Sequence, residues 1–418
     1  MLLIVVALAC ANSAAALTPN DPTWNLASSM RKVNMPGAWD VTTGDPNVII
    51  GTVDTGVDST IPDLQGALVP GWNFVGNNAS TDDHQSHGTV TATEMVARGN
   101  NGQGIAGYCW RCKLMPVKVS ETGEDFDPGL TAAGIVWAVD HGARIISISI
   151  NDEGVNPTGD PQVAGAIAYA FQHNVFVAAS AGNTGYSGLT FPAADYGAYP
   201  VAATDDNDVL YPWSTFGSWI HIAAPGCQLT LNLGSAYGPV CGNSMTAPAI
   251  AGIAGLMLSV NPGLTPAQIE AALESSTVPV NGIVNGRVDA LRALLAVGGR
   301  LPTPPPPPPP PPPSASTKLK PVAGPKMKTR VQRGYLGRHR QVGIKVRTGK
   351  VAAVLRSSKA KSCTLSLRSS DSLWSATRHA RNLVSVAARL RAGRYTVDIW
   401  CSVRAPRKFA LSVSAFFS

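Results

Sequence analysis

The chain has 418 residues, of which 44% are hydrophobic and 14% charged, with a formal net charge of +7. That apolar content excludes a disordered polyelectrolyte, and the length exceeds what one ordinary core organises, so two or more domains are expected. The charge is split: Leu17 to Arg300 holds 10 Lys+Arg against 24 Asp+Glu, and Ser314 to Ser418 holds 23 against 2, so the overall balance describes neither part.

Residues 1–16, MLLIVVALACANSAAA, are a short apolar stretch ending in small residues. It is too short to span a bilayer and reads as a secretory signal cleaved near Ala16, although a basic leading region is missing. The expected location is outside the cell or in its wall. No later segment has the ~20 unbroken apolar residues of a membrane helix. Next come NVIIGTVDTG, ARIISISI and VFVAASAGN, apolar runs rich in Ile and Val, as strands buried on both faces should be. Between them lie the helical stretches GLTAAGIVWAVDHG and QVAGAIAYAFQHN, ending in Gly142 and Asn174, both suited to a helix C-terminus. This alternation predicts an α/β fold, a parallel sheet with helices on both faces, with its ligand site at the carboxyl ends of the strands. Asp54, Ser149 to Asn151 and Asn183 all follow strand runs and should gather along that edge. GNSMTAPAIAG, residues 242–252, reads as a loop feeding a buried helix of small residues.

Ten prolines, Pro304 to Pro313, then interrupt the chain. Such a run is a semi-rigid polyproline II spacer, so residues 17–300 are expected as one domain and 301–317 as a linker. Residues 318–418 contain short, partly alternating apolar segments between polar turns and read as a small antiparallel β-sandwich. Its excess of positive charge suits a polyanion such as acidic polysaccharide, with a merely solvated basic face as the alternative; secretion argues against nucleic acid.

Of seven cysteines, six remain after the signal, in sequence-local pairs: Cys109 with Cys112, Cys227 with Cys241, Cys363 with Cys401. Three disulfides are favoured, with connectivity open; a structural zinc at Cys109 and Cys112 would need two further ligands that the sequence does not suggest.

A serine hydroxyl is a poor nucleophile without a base, a group to hold that base, and donors for the oxyanion. Asp54 at a strand end, His87 opening a helix and Ser244 before a buried helix offer the holding group, the base and the hydroxyl. The stretches VDTGVD, SHGT, SAGN and GNSMTAP, together with MPGAWDVTTG, NNGQGIAG and IAAPG, resemble the subtilases, and among them the thermitase-like branch. The resemblance runs from about Thr18 to Ala296 and implies a secreted serine endopeptidase acting through an acyl-enzyme, with Ser244 as nucleophile, His87 as base and Asp54 orienting it. It implies Asn183 as an oxyanion donor and Ser149, Ile150, Asn151, Ala181 and Gly182 as the peptide-binding edges. It further implies a structural Ca2+ held by Asp21, Asp63 and the loop Asn101, Gln103, Ile105. Peptides are the expected partners, and a monomer is the expected state.

Departures from the family pattern are also visible. Val90 and Thr93 stand where the pattern has His and Gly, Asn151 and Asp152 where it has two glycines, and Asn243 where it has threonine. These keep an alternative open, a weakly active subtilase scaffold that tethers a polyanion-binding module.

Overall fold

The computed structural model describes residues 16–123, 127–156 and 158–302, and the strand backbone of eight segments between residues 327 and 416. The signal stretch before Ala16 and the proline run lie outside the described residues. The chain divides into two compact units, Met1–Pro306 and Pro307–Ser418.

The first unit carries β1 (Ile49–Asp54), β2 (Trp72–Asn73), β3 (Lys113–Lys118), β4 (Ile145–Ile148), β5 (Phe176–Ser180), β6 (Ala198–Thr204), β7 (Ile222–Pro225), β8 (Cys227–Leu231), β9 (Tyr237–Cys241), β10 (Thr277–Val278) and β11 (Gly286–Val288). Its helices are α1 (Ser28–Lys32), α2 (Met35–Val41), α3 (His87–Val96), α4 (Pro128–Asp140), α5 (Pro161–Gln172), α6 (Thr246–Val260), α7 (Pro266–Glu274) and α8 (Ala290–Ala296). Nine strands form one sheet in the order β10-β11-β7-β6-β5-β4-β1-β3-β2, parallel except for β10 against β11. β8 and β9 form a separate hairpin.

The unalternating Ile/Val runs follow from burial on both faces. Ile145 packs into one core with Ile50, Ala178 and α6, while Ile146 packs into the other with Val53, Val177, α4 and α5. Helices therefore cover both sides, as the alternation predicts. α4 and α5 each begin with an aspartate cap followed by proline: Asp127 accepts from the Leu130 N–H, and Asp160 from those of Gln162 and Val163. Such a cap contributes ~1 kcal/mol. Both helices stop where Gly142 (φ 91°) and Asn174 (φ 58°) turn left-handed.

α6 runs through the core, with every residue from Thr246 to Leu258 buried. The segment Asn243–Val260 is long and apolar enough to cross a membrane, but 83% of it is buried inside the fold. Its small residues have a steric reason. A Cβ on Gly252 would overlap the Tyr108 side chain, and one on Gly255 would come within 2.9 Å of Cys112 Sγ. Cys109–Cys112 and Cys227–Cys241 are disulfides, so the first pair holds no zinc. Cys363 and Cys401 are register partners on neighbouring strands, their side chains outside the described residues.

Thr93 occupies the space of the family glycine without leaving its hydroxyl stranded. It accepts from Leu231 N–H (3.1 Å) and donates to Val90 O (3.1 Å), stitching α3 to β8. Glu94 beside it is different. It is fully buried, neither carboxylate oxygen has a hydrogen-bond partner, and burial raises its pKa well above the usual value. The folded chain therefore keeps a proton that the unfolded chain releases. Stability from this group is complete below about pH 4.5 and is lost as pH rises toward the folded pKa, at up to ~1.4 kcal/mol per unit. Glu94→Met is expected to flatten the fall of melting temperature with pH; parallel curves for the two proteins would refute the assignment.

The second unit has β12 (Met327–Leu336), β13 (His339–Val346), β14 (Gly349–Ser357), β15 (Cys363–Arg368), β16 (Leu373–Arg378), β17 (Leu383–Leu390), β18 (Gly393–Cys401) and β19 (Arg407–Phe416). They pair antiparallel in two four-stranded sheets, β12-β19-β14-β17 and β13-β18-β15-β16.

Candidate active site

The carboxyl ends of β1, β4 and β5 and the turn before α6 meet along one edge of the large sheet, where side-chain sites of open parallel sheets are found. Asp54 closes β1 and is 1% exposed. Its Oδ1 accepts from Thr55 N–H (2.7 Å) and lies 2.7 Å from His87 Nδ1; its Oδ2 accepts from the Thr91 hydroxyl (3.3 Å). A carboxylate there draws the imidazole proton to Nδ1, leaving Nε2 free to accept. Burial pushes the His87 pKa down, but the charge and hydrogen bond of Asp54, helped by the charge of Asp83, outweigh it and hold the ring above the ordinary imidazole value.

Asp83 was not among the expected site residues, yet it shapes the loop that presents His87. Its carboxylate accepts from the N–H groups of Gln85, Ser86 and Thr89 and from the hydroxyls of Thr55 and Thr89. Those bonds outweigh burial and lower its pKa. They also hold Ser86 at φ 93°, so that α3 begins abruptly at His87. An aspartate four residues ahead of a helix-opening histidine is the signal that could have revealed it.

Ser244 lies in the single 3₁₀ turn Asn243–Met245 that leads into α6, where the helix N-terminus favours developing negative charge. Ser244 and Ser149 exchange two hydrogen bonds: Ser149 Oγ donates to Ser244 O (2.8 Å), and Ser244 Oγ donates to Ser149 O (3.2 Å). Ser149 follows β4, so this pair ties the nucleophile turn to one candidate peptide edge. Ala181 and Gly182 follow β5 and form the other. Gly182 adopts φ 94°, and a Cβ there would meet Thr215 Oγ1 and Asn151 Oδ1 at 3.2 and 3.3 Å.

The residues that replace family glycines spend their side-chain oxygens on nearby backbone N–H groups. Asn151 Oδ1 accepts from Glu153 N–H (2.8 Å), and Asp152 accepts from the N–H groups of Gly154, Phe191 and Asn156. Ile150 is 7% exposed. Asn243, in place of threonine, is fully buried and satisfied. Its Nδ2 donates to Gly182 O (2.8 Å) and Ser214 Oγ (3.1 Å), and its Oδ1 accepts from Thr246 (2.9 Å). Its N–H donates to Asn183 Oδ1 (2.8 Å), which fixes the orientation of that amide. Asn183 is exposed.

At the other candidate site, Asp21 and Asp63 are 4% and 1% exposed. Burial, and for Asp63 also the charge of Asp21, raises both pKa values. The loop 100–105 wraps them with left-handed backbone at Asn100, Gly102 and Gly104. Asn100 N–H donates to Asp21 (2.7 Å), Asn101 Nδ2 and Ile105 N–H donate to Asp63 (2.9 and 2.8 Å), and Asn101 Oδ1 takes the Gln103 N–H (3.0 Å). A Cβ on Gly104 would fall on Asp63. Among the described residues, no three acidic, histidine or cysteine side chains form a metal-holding group. Two buried carboxylates amid amide and carbonyl oxygens nevertheless suit a hard cation such as Ca2+.

A parallel α/β sheet with an Asp–His pair and a helix-capped serine at its carboxyl edge defines a protein of the serine-hydrolase class. Residues 45–300 match the subtilase family model, and the chain belongs to that family. It is 36% identical to thermitase of Thermoactinomyces vulgaris over 283 residues, 66% of this chain and 99% of the relative. It is 32% identical to the thermophilic serine proteinase of Bacillus sp. strain AK1 over 286 residues, 67% of this chain and 70% of the relative. A solved protease from Pseudoalteromonas arctica PAMC 21717 superposes with a TM-score of 0.61 at 27% identity, covering 67% of this chain and 100% of that one. The protein is thus a serine endopeptidase of the subtilisin kind, in keeping with the thermitase-like resemblance.

Proposed function

We propose that the protein is a secreted endopeptidase in which Ser244 attacks the scissile carbonyl, His87 carries the proton, Asp54 orients the ring, and Asn183 with the Ser244 N–H binds the oxyanion. The observation that carries this is the 2.7 Å contact between His87 Nδ1 and Asp54, which fixes the tautomer able to take a serine proton at Nε2. The Ser244 hydroxyl, at rest on Ser149 O, needs only a rotation about its own χ1 to leave that acceptor, and such bonds commonly form only with substrate present. The peptide is expected to lie between Ser149–Asn151 and Ala181–Gly182. Cleavage proceeds by attack of the Ser244 oxygen on the carbonyl carbon, proton delivery from His87 to the leaving amine, and hydrolysis of the resulting ester by water. Secretion is supported by the leader-like residues 1–16 and by the two disulfides, which persist in oxidising compartments.

The test is labelling by a serine-directed phosphonate, read by mass on the peptide bearing Ser244. Because His87 must be neutral and its pKa lies above 6.5, the labelling rate should rise with pH through an inflection on the alkaline side of 6.5 and then level. A rate that is flat across that range, or a label on another residue, would count against the assignment.

The residues that would hold Ca2+ are Asp21, Asp63 and the side-chain oxygen of Asn101, with the carbonyls of Gln103 and Ile105. The ion would neutralise the two buried carboxylates and brace the 100–105 loop. A cation bound only by the native state stabilises it by about 2.7 kcal/mol at one hundred times its dissociation constant. Excess chelator is therefore expected to lower the melting temperature of the wild type but not that of Asp63→Asn. Unchanged melting of the wild type would remove the site.

For residues 318–418 the proposal is a β-sandwich that holds an acidic polysaccharide, supported by its charge and by the pairing of its strands in two antiparallel sheets.

A further inference from the structure

Next to the Ser149–Asn151 edge is a cavity of about 110 Å³ whose lining includes Asp152, Asn156, Asp160, Val163, Phe191 and Asp195, and no basic side chain. Two of its carboxylates are already engaged. Asp152 accepts three backbone N–H groups, and Asp160 caps α5. Asp195 is not. It is 8% exposed, and its Oδ2 is buried without a hydrogen-bond partner. Burial first, then the charges of Asp152 and Asp160, push its pKa up to about 6. At neutral pH three carboxylates thus surround one small space, and one of them has no compensating donor, an arrangement that is costly unless a cation enters.

The geometry also indicates what kind of cation. Among the described residues, no three acidic side chains converge closely enough to chelate a metal ion. An organic cation on a flexible stem suits such dispersed charge better, since its head can reach Asp195 while its methylenes lie on apolar wall. Val163 and Phe191, both buried, supply that wall. Position then names the source of the stem. Asp152, which lines the cavity, comes directly after Asn151, and its N–H donates to Phe191 O (2.9 Å), so the cavity begins one residue beyond the candidate peptide edge. At about 3.3 Å per residue, Asp152 lies roughly 10 Å along the strand direction from Ser149, whose carbonyl faces Ser244.

We propose that this cavity is a recognition subsite for a lysine or arginine side chain of the bound peptide, several residues from the scissile bond, with Asp195 as its counter-ion. The inference rests on the peptidase reading above.

The experiment uses fluorescent peptides in which arginine or its neutral isostere citrulline is moved through each position of one parent sequence. Affinity is read by anisotropy on the full chain carrying Ser244→Ala, with and without Asp195→Asn, and kcat/KM is read on the Ser244 proteins. At one position arginine is expected to bind about tenfold better than citrulline, and Asp195→Asn is expected to erase that ratio while leaving the citrulline peptides unchanged. Asp195→Ala serves as a second variant, and melting curves check that both fold. The inference is overturned by no arginine preference at any position, by a preference that survives both variants, or by failure of every peptide to bind. Cleavage of the citrulline series by the wild type separates this failure from failure of the peptidase reading.

Discussion

Ser244→Ala is expected to lower kcat/KM for a short peptide by about six orders of magnitude, the scale known for the nucleophile of the subtilisin triad, while peptide affinity stays within a few-fold. The asymmetry follows from where Ser244 sits. Its hydroxyl is the only part that alanine removes, and that hydroxyl makes one hydrogen bond among the described residues, to Ser149 O. Ser149 Oγ bonds the Ser244 carbonyl, and the helix behind it is packed by Ala247, Ala249 and Ala251, so the backbone of the turn survives the change. The residue of activity that persists would come from oxyanion donors and bound water acting without a nucleophile. Measuring kcat/KM and inhibitor affinity on both proteins decides the matter. A loss smaller than a hundredfold would mean that another hydroxyl performs the attack.

Asn183→Ala comes next, with an expected fall in kcat of about 10²–10³ and a nearly constant KM, the range known for the matching amide in subtilisin. The amide is positioned before substrate arrives. Asn243 N–H holds its oxygen at 2.8 Å, and Asn243 is itself fixed by Gly182, Ser214 and Thr246. As the proposed oxyanion donor, the amide would need no reorganisation as charge develops on the substrate oxygen. Asn183→Asp is the sharper probe, because it keeps the acceptor for Asn243 and replaces the donor with negative charge. Full activity in Asn183→Asp would exclude a donor role.

How legible this was depended on whether the signal was local. Parallel strands, both central helices and the small-residue α6 could be read from periodicity and caps, because each is determined by neighbours within a dozen residues. The Asp54, His87, Asn183 and Ser244 set came from four short stretches lying at strand ends and helix starts. Asp83 was not singled out, and the partners of Asn243 were not legible. Asp83 spends its carboxylate on a loop whose shape depends on Thr55, 28 residues away. Asn243 was counted as a departure because its partners Gly182 and Ser214 lie 61 and 29 residues off, and nothing adjacent announces them. The replacements at Asn151 and Asp152 were visible as departures from the pattern, but the backbone N–H groups their oxygens accept from, that of Phe191 among them, could be read only from the folded loop. Asp195 belongs with these, since three carboxylates separated by up to 43 residues face one cavity.

The carbonyl of Ser149 has a double use. In the resting chain it holds the Ser244 hydroxyl. It also belongs to the edge proposed for the peptide, and a peptide pairing there as an added strand would offer N–H groups to carbonyls of that kind. On that proposal substrate and nucleophile would compete for one oxygen. On the proposed mechanism, a peptide amide that takes it would release the serine hydroxyl, for which the proposed acceptor is the free nitrogen of His87. Docking would then arm the enzyme, and water, which lays no strand along this edge, would leave the serine parked.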